Sequence, residues 1–227
     1  MESILLKYNY YKGLFLKYQL TIDSNTKALN SNIINIKSVC KFSIEVKDVD
    51  EFGNKTLEII CISAEMYSDG KKVPCHEYDN IPVITMKLNE KNEPIDTSHQ
   101  TDLSFSLYPE EPKKINDEWT MVSKPFPKSK NRNQAIEDVK NYTFSDLIKY
   151  KGIDVAVLKF TCPEKLEKFG ENLYIKISSI GKELFDYKNG ILVKTESNTI
   201  EKRLYGDSLK EILERNYSLI LELINDS

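Results

Sequence analysis

The densest group of potential nucleophiles and metal ligands in the chain is Pro74-Cys-His-Glu-Tyr-Asp79. A thiol next to an imidazole suggests a Cys–His dyad. Adjacent side chains on an extended chain point to opposite sides, however, so Cys75 and His76 cannot hydrogen-bond. A zinc site needs three or four ligands at suitable spacing, and only this fragment offers candidates. The other histidine, His99, lies in the polar run Asp96-Thr-Ser-His-Gln-Thr-Asp102. Both fragments read as polar loops, so no catalytic residue, metal site or cofactor is assigned, and the chain is read as a non-enzyme.

No glycine-rich phosphate loop is present, neither G-x-G-x-x-G nor an ending in G-K-[ST]. Tyr8, Tyr10, Tyr11 and Tyr18 crowd the first residues beside lysines, and such aromatics can stack on single-stranded bases. Nucleic-acid binding also needs a basic surplus. The 32 Lys and Arg against 35 Asp and Glu give a net charge of −3, so the tyrosines read as strand formers and no nucleic-acid partner is expected. Cys40, Cys61, Cys75 and Cys162 include no C-x-x-C pair. Cys40 and Cys61 sit in apolar runs, where a thiol serves as a small hydrophobe, and reduced thiols are expected.

The elements that position these groups follow from period-2 alternation, the signature of a half-buried strand. Leu14, Leu16, Tyr18, Leu20 and Ile22 share one face, with Lys17, Gln19 and Thr21 on the other. Leu6–Tyr11 is expected to pair with this strand across Lys12-Gly13. Further strands are read at Cys40–Val46, Thr56–Met66, Ile81–Leu88, Leu103–Leu107, Tyr142–Tyr150, Ile153–Thr161, Leu173–Ser179 and Ile191–Thr199, with a hairpin turn at Asn189-Gly190. Residues 132–140 read as one or two helical turns. From Ser208 onward, Leu209, Ile212, Leu213, Tyr217, Ile220 and Ile224 recur at spacings of three and four. With Ser208 and Glu211 as a capping box, this predicts an amphipathic C-terminal helix.

The 227 residues are therefore read as one mainly β domain. Residues 1–206 form a curved antiparallel sheet, or half-barrel meander, of about nine to eleven strands. Residues 207–227 form a helix packed on it. The chain has no run of apolar residues long enough for a membrane span. It carries no signal-like start either, which reads as cytoplasmic if Met1 is native and as cell envelope if the chain is a trimmed form.

A second pattern lies in the later half. Leu107-Tyr-Pro-Glu-Glu-Pro112 is followed by Lys114-Ile-Asn-Asp-Glu-Trp119, Asn141-Tyr-Thr-Phe144, and Ile180-Gly-Lys-Glu-Leu-Phe-Asp-Tyr-Lys-Asn-Gly190. Over residues 84–200 this order resembles the bacterial lipoprotein-carrier superfamily (LolA/LppX-like), with Asn116-Asp117 where a Gly-Asp turn is expected. The resemblance implies a half-open sheet whose concave face can hold an acyl chain. It agrees with the strand count, since one helix covers only two or three strands. The expected function is binding of an apolar small molecule or lipid, lined by Leu16, Tyr18, Leu20, Phe42, Ile44 and Phe105. The alternative is a protein-interaction or assembly component, with a protein partner or homodimer and a self-filled core. Trp119 is expected to plug the core.

Overall fold

The computed structural model describes residues 3–29, 31–74, 83–97, 106–123, 138–168 and 171–224. Phe105, Cys75–Asp79, His99 and the helical turns expected at 132–137 lie outside them. The described residues form one open antiparallel sheet of twelve strands: β1 (Phe15–Ala28), β2 (Ile34–Val49), β3 (Lys55–Ser68), β4 (Lys71–Val73), β5 (Ile84–Leu88), β6 (Pro94–Thr97), β7 (Glu118–Ser123), β8 (Asp138–Tyr150), β9 (Ile153–Lys168), β10 (Leu173–Asp186), β11 (Ile191–Tyr205) and β12 (Lys210–Leu223). The order is β6-β5-β3-β2-β1-β12-β11-β10-β9-β8-β7, with β4 paired to β3. Two meandering wings thus meet at β1 and β12, the first and last strands of the chain.

The expected C-terminal helix is a strand in the middle of this sheet. Leu213, Tyr217 and Ile220 fit a helical spacing, but Leu213, Tyr217, Leu219, Leu221 and Leu223 also fall at alternate positions. These side chains sit directly opposite Ala28, Ser24, Ile22, Leu20 and Tyr18 of β1. Pairing on both sides, with β1 and β11, outweighs the local helical period. Residues 138–140, read as helical, begin β8. Among the described residues there is no helix, and so none long and apolar enough to cross a membrane.

The register fixes which side chains share a face. Leu16, Tyr18 and Leu20 lie opposite Ile44, Phe42 and Cys40 of β2, and Ile44 and Phe42 lie opposite Ile59 and Cys61 of β3. On the far wing, Phe160 of β9 lies between Tyr142 of β8 and Gly181 of β10. One face of one end of the sheet therefore carries the main core, with Leu57, Met86, Leu88, Phe144, Leu158 and Phe185 nearly inaccessible.

Two extended segments cover this end. The first, residues 3–14, keeps the expected alternation: Ile4, Leu6, Tyr8 and Tyr10 are buried while Leu5, Lys7, Asn9 and Tyr11 face outward. It is not a hairpin partner of β1. It crosses the sheet, with Ile4 exchanging backbone hydrogen bonds with Lys113, Asn9 N donating to Gly190 O, and Gly13 N donating to Val46 O. The second, residues 106–117, belongs to the connection from the β6 edge to the β7 edge. Ser106 and Leu107 are buried there, not part of a strand. Asn116, at φ 76°, takes the left-handed conformation that the Gly of a Gly-Asp turn would supply, and its N donates to Phe144 O. We call these segments the first and second straps.

Gly190 is required by the first strap as well as by its turn. A Cβ there would meet the backbone of Asn9 and Lys7, and its φ is 68°. The turn holds four residues, Tyr187–Gly190, and not the two expected. Asp186 Oδ1 closes it by accepting from the backbone N of Lys188 and Asn189.

Candidate functional site

Most of the residues expected to line a ligand lie beneath the straps. Leu16, Tyr18, Phe42 and Ile44 are 6%, 3%, 5% and 5% exposed and belong to one packed cluster with Leu6, Tyr8 and Tyr10 of the first strap. Tyr18 stacks on Phe42 with ring centroids 5.8 Å apart, and its hydroxyl reaches over β12 to donate to Leu192 O at 2.9 Å. Leu20 is only half-buried, at the margin of the cluster. The structure thus brings Leu16, Tyr18, Leu20, Phe42 and Ile44 together on one face.

The same face holds a polar centre that sequence reasoning passed over. Glu183 of β10 is fully buried. Its carboxylate accepts hydrogen bonds from Ser106 Oγ at 2.5 Å and Tyr142 OH at 3.2 Å on Oε1, and from Tyr108 OH at 2.9 Å on Oε2. Lys140 Nζ lies 3.8 Å from Oε1 and 5.0 Å from the Phe160 ring centroid. A buried carboxylate is tolerated only when its charge is met by donors and a counter-charge, and this one has both. Two of the donors, Ser106 and Tyr108, come from the second strap, so Glu183 fastens that strap to the sheet.

Burial holds the phenols of Tyr8 and Tyr142 well above the usual tyrosine range, and the nearby Glu183 charge adds to the shift. Burial raises Tyr10 and Tyr18 as well. Around the centre, Tyr108 packs edge-on to Phe185 at 4.7 Å, and Trp119 stacks on Tyr142 at 5.4 Å, half-buried against the core as expected. Gly181 lets the Phe160 ring lie over β10, because a Cβ there would collide with that ring and with Glu196 O. The sequence signal was available. In Gly181-Lys-Glu-Leu-Phe185, Glu183 falls at the same alternate position as Gly181 and Phe185, inside an otherwise core-facing row.

The face continues past the straps. Ile22 of β1 lies opposite Leu219 of β12 and Ser38 of β2, Ser38 opposite Met66 of β3, and Ser24 between Ile36 and Tyr217. Ile22, Ile36, Met66, Leu219 and Tyr217 are half-buried, interleaved with the hydroxyls of Ser24, Ser38, Ser197 and Thr199. Two open grooves of about 520 and 500 Å³ flank the sheet, one at Asp23–Asn25 and Asn35–Lys37, the other at Glu118–Thr120 and Asn141–Thr143. None of Leu16, Leu20, Phe42 or Ile44 lines either groove. Among the described residues no group of three or more His, Cys, Asp or Glu is arranged to hold a metal ion.

The chain is similar to a LolA superfamily protein from Nitrosomonas europaea known from its crystal structure. That similarity has 10% sequence identity, 93% of this chain and 87% of that chain covered, and a TM-score of 0.22. It is a weak match over a large part of the chain and carries nothing about a ligand. No family model and no curated protein matches the chain.

Proposed function

We propose that the protein is a binding module whose apolar or amphiphilic ligand lies on the strap-bearing face, where that face runs on beyond the straps. The observation that carries this is the half-buried row Ile22, Leu219, Tyr217, Ile36 and Met66, continuous with the packed core through Leu20 and Leu221. Apolar side chains in register across β3, β2, β1 and β12 offer a strip for a hydrocarbon chain, and the interleaved serines and Thr199 offer hydroxyls to a polar group. The strap-covered end, with Leu16, Tyr18, Phe42 and Ile44, is the inner wall of the site, its space filled by Leu6, Tyr8 and Tyr10. A ligand chain meets that wall at Leu20.

The test is native mass spectrometry of the purified chain with analysis of an organic extract, followed by titration with an environment-sensitive apolar dye. A discrete excess mass that extracts as lipid, or saturable dye binding lost in Leu219→Lys and kept in Ile200→Lys, supports the reading. Ile200 lies opposite Ser178 and Asn216 on the other face of the sheet, which makes it the control. A bare 26.3 kDa monomer that binds no dye overturns it. A bare dimer overturns it too, and shows the strip covered by a second copy.

A further inference from the structure

On the same face, at the border between the strap-covered end and the open strip, Cys40 of β2 and Cys61 of β3 bring their sulfurs to 3.8 Å. The approach is built into the register. Cys61 lies opposite Phe42 and Cys40 lies opposite Ala64, so both thiols project from one face at diagonal positions of neighbouring strands. A bulge between Lys41 and Phe42 shifts the pairing at that point, with Ser63 opposite Lys41 and Ile62 extra. Diagonal neighbours in a regular ladder stand farther apart than directly opposed ones. Here the side chains nonetheless meet. Both residues are half-buried, so small reagents can reach them.

We propose that Cys40 and Cys61 are a redox-active dithiol that closes to an intramolecular disulfide when a small disulfide oxidant is present. The thiolate of one cysteine attacks a sulfur of the oxidant, forming a mixed disulfide and releasing one thiol. The second cysteine, as thiolate, attacks its partner's sulfur in that mixed disulfide and releases the second thiol. Two cysteine thiols are oxidised, one external disulfide is reduced to two thiols, and the two protons pass to the departing thiolates. The sulfurs must approach by 3.8 − 2.05, about 1.7 Å, to reach bonding distance, a movement that χ rotation of two half-buried side chains can supply without parting the strands.

The experiment treats the full chain with oxidised glutathione, blocks the remaining thiols, and maps peptides without reduction. The expected result is a linked pair of peptides containing Cys40 and Cys61, an intact mass lower by two hydrogens, and full reversal by dithiothreitol. The chain carrying Cys75→Ser and Cys162→Ser should give the same linkage, and Cys61→Ser should stop at a mixed disulfide on Cys40. Separate glutathione adducts on Cys40 and Cys61, linkage of either to Cys75 or Cys162 instead, or both thiols still open to alkylation each overturn the proposal. Mapping of the unsubstituted chain keeps the test valid if a serine variant fails to fold.

Discussion

Strand β1 passes through two environments within fourteen residues. Leu16 and Tyr18 are almost wholly inaccessible, whereas Ile22 and Thr26, on the same face, are half exposed. Backbone pairing does not distinguish them, because β2 runs beside β1 from Phe15 to Thr26 and β12 from Tyr18 to Ala28. What differs is the layer above. At one end the straps place Leu6, Tyr8, Tyr10 and Leu107 on the sheet, and at the other end the described residues place nothing comparable. A hydrogen-bonded ladder extends the sheet, but apolar area removed from water stabilises it. Stability is therefore expected to concentrate in the strap-covered end, leaving the open end as the more yielding unit.

The largest effect should come from removing what joins the two wings. Deleting residues 208–227 takes away β12, which pairs with both β1 and β11, and leaves two separate half-sheets. Were this segment a helix lying on a finished sheet, the remainder would stay folded. The expected outcome is loss of the cooperative transition and of dispersed amide resonances. A folded, soluble remainder would refute the topology.

Alkaline pH should strike the covered end next. Tyr8, Tyr10, Tyr18 and Tyr142 have folded pKa values above the ordinary value of 10, so each contributes stability that is intact below pH 10 and lost as pH rises towards its folded value. Above pH 10 the unfolded chain releases protons that the folded chain keeps, which removes about 1.4 kcal/mol per pH unit for each such group. In a phenolate absorbance titration, exposed Tyr11 and Tyr205 should ionise with the fold intact. The buried four should ionise only together with loss of near-ultraviolet dichroism, and their titration near pH 10 in a folded protein would contradict the packing.

Within the covered end, the second strap depends on Glu183. Glu183→Leu leaves the hydroxyls of Ser106 and Tyr142 without their acceptor and Lys140 without its counter-charge, and should cost about 3–5 kcal/mol. Glu183→Gln keeps a carbonyl acceptor in place and should cost about 1–3 kcal/mol. Denaturant midpoints of the two variants check the ordering. Equal, small losses would mean that the carboxylate fastens nothing.

Much of this arrangement was legible because a two-residue period survives in any half-buried strand. Leu16, Tyr18, Leu20, Phe42 and Ile44 were placed on one face from spacing alone, and the register confirms that they share it. The alternation of Ile4, Leu6, Tyr8 and Tyr10 was equally plain. Its partner was not, because an extended segment looks the same whether it pairs in a ladder or lies across one. β12 was misread for a different reason: Ile212, Ile220 and Ile224 add apolar side chains off the Leu213–Leu223 row, which blurs a period of two into one near 3.6. The Glu183 centre escaped because its donors are distant in sequence, Ser106 by 77 residues and Tyr142 by 41.

The smallest expected effect tests the contrast between the two ends most directly, because it uses one residue type twice. Ile44→Ala removes a side chain that is 5% exposed and packed within the main core, and should cost about 2–5 kcal/mol. Ile200 is 47% exposed, on the open end and on the face away from the straps, so Ile200→Ala empties no packed space. Its cost should stay within about 0.5 kcal/mol. Both lie in strands paired on either side, so backbone pairing predicts no difference between them. If the two variants lose comparable stability by chemical denaturation, the open end is buried against something else in solution, and the layer above the sheet is wider than the two straps.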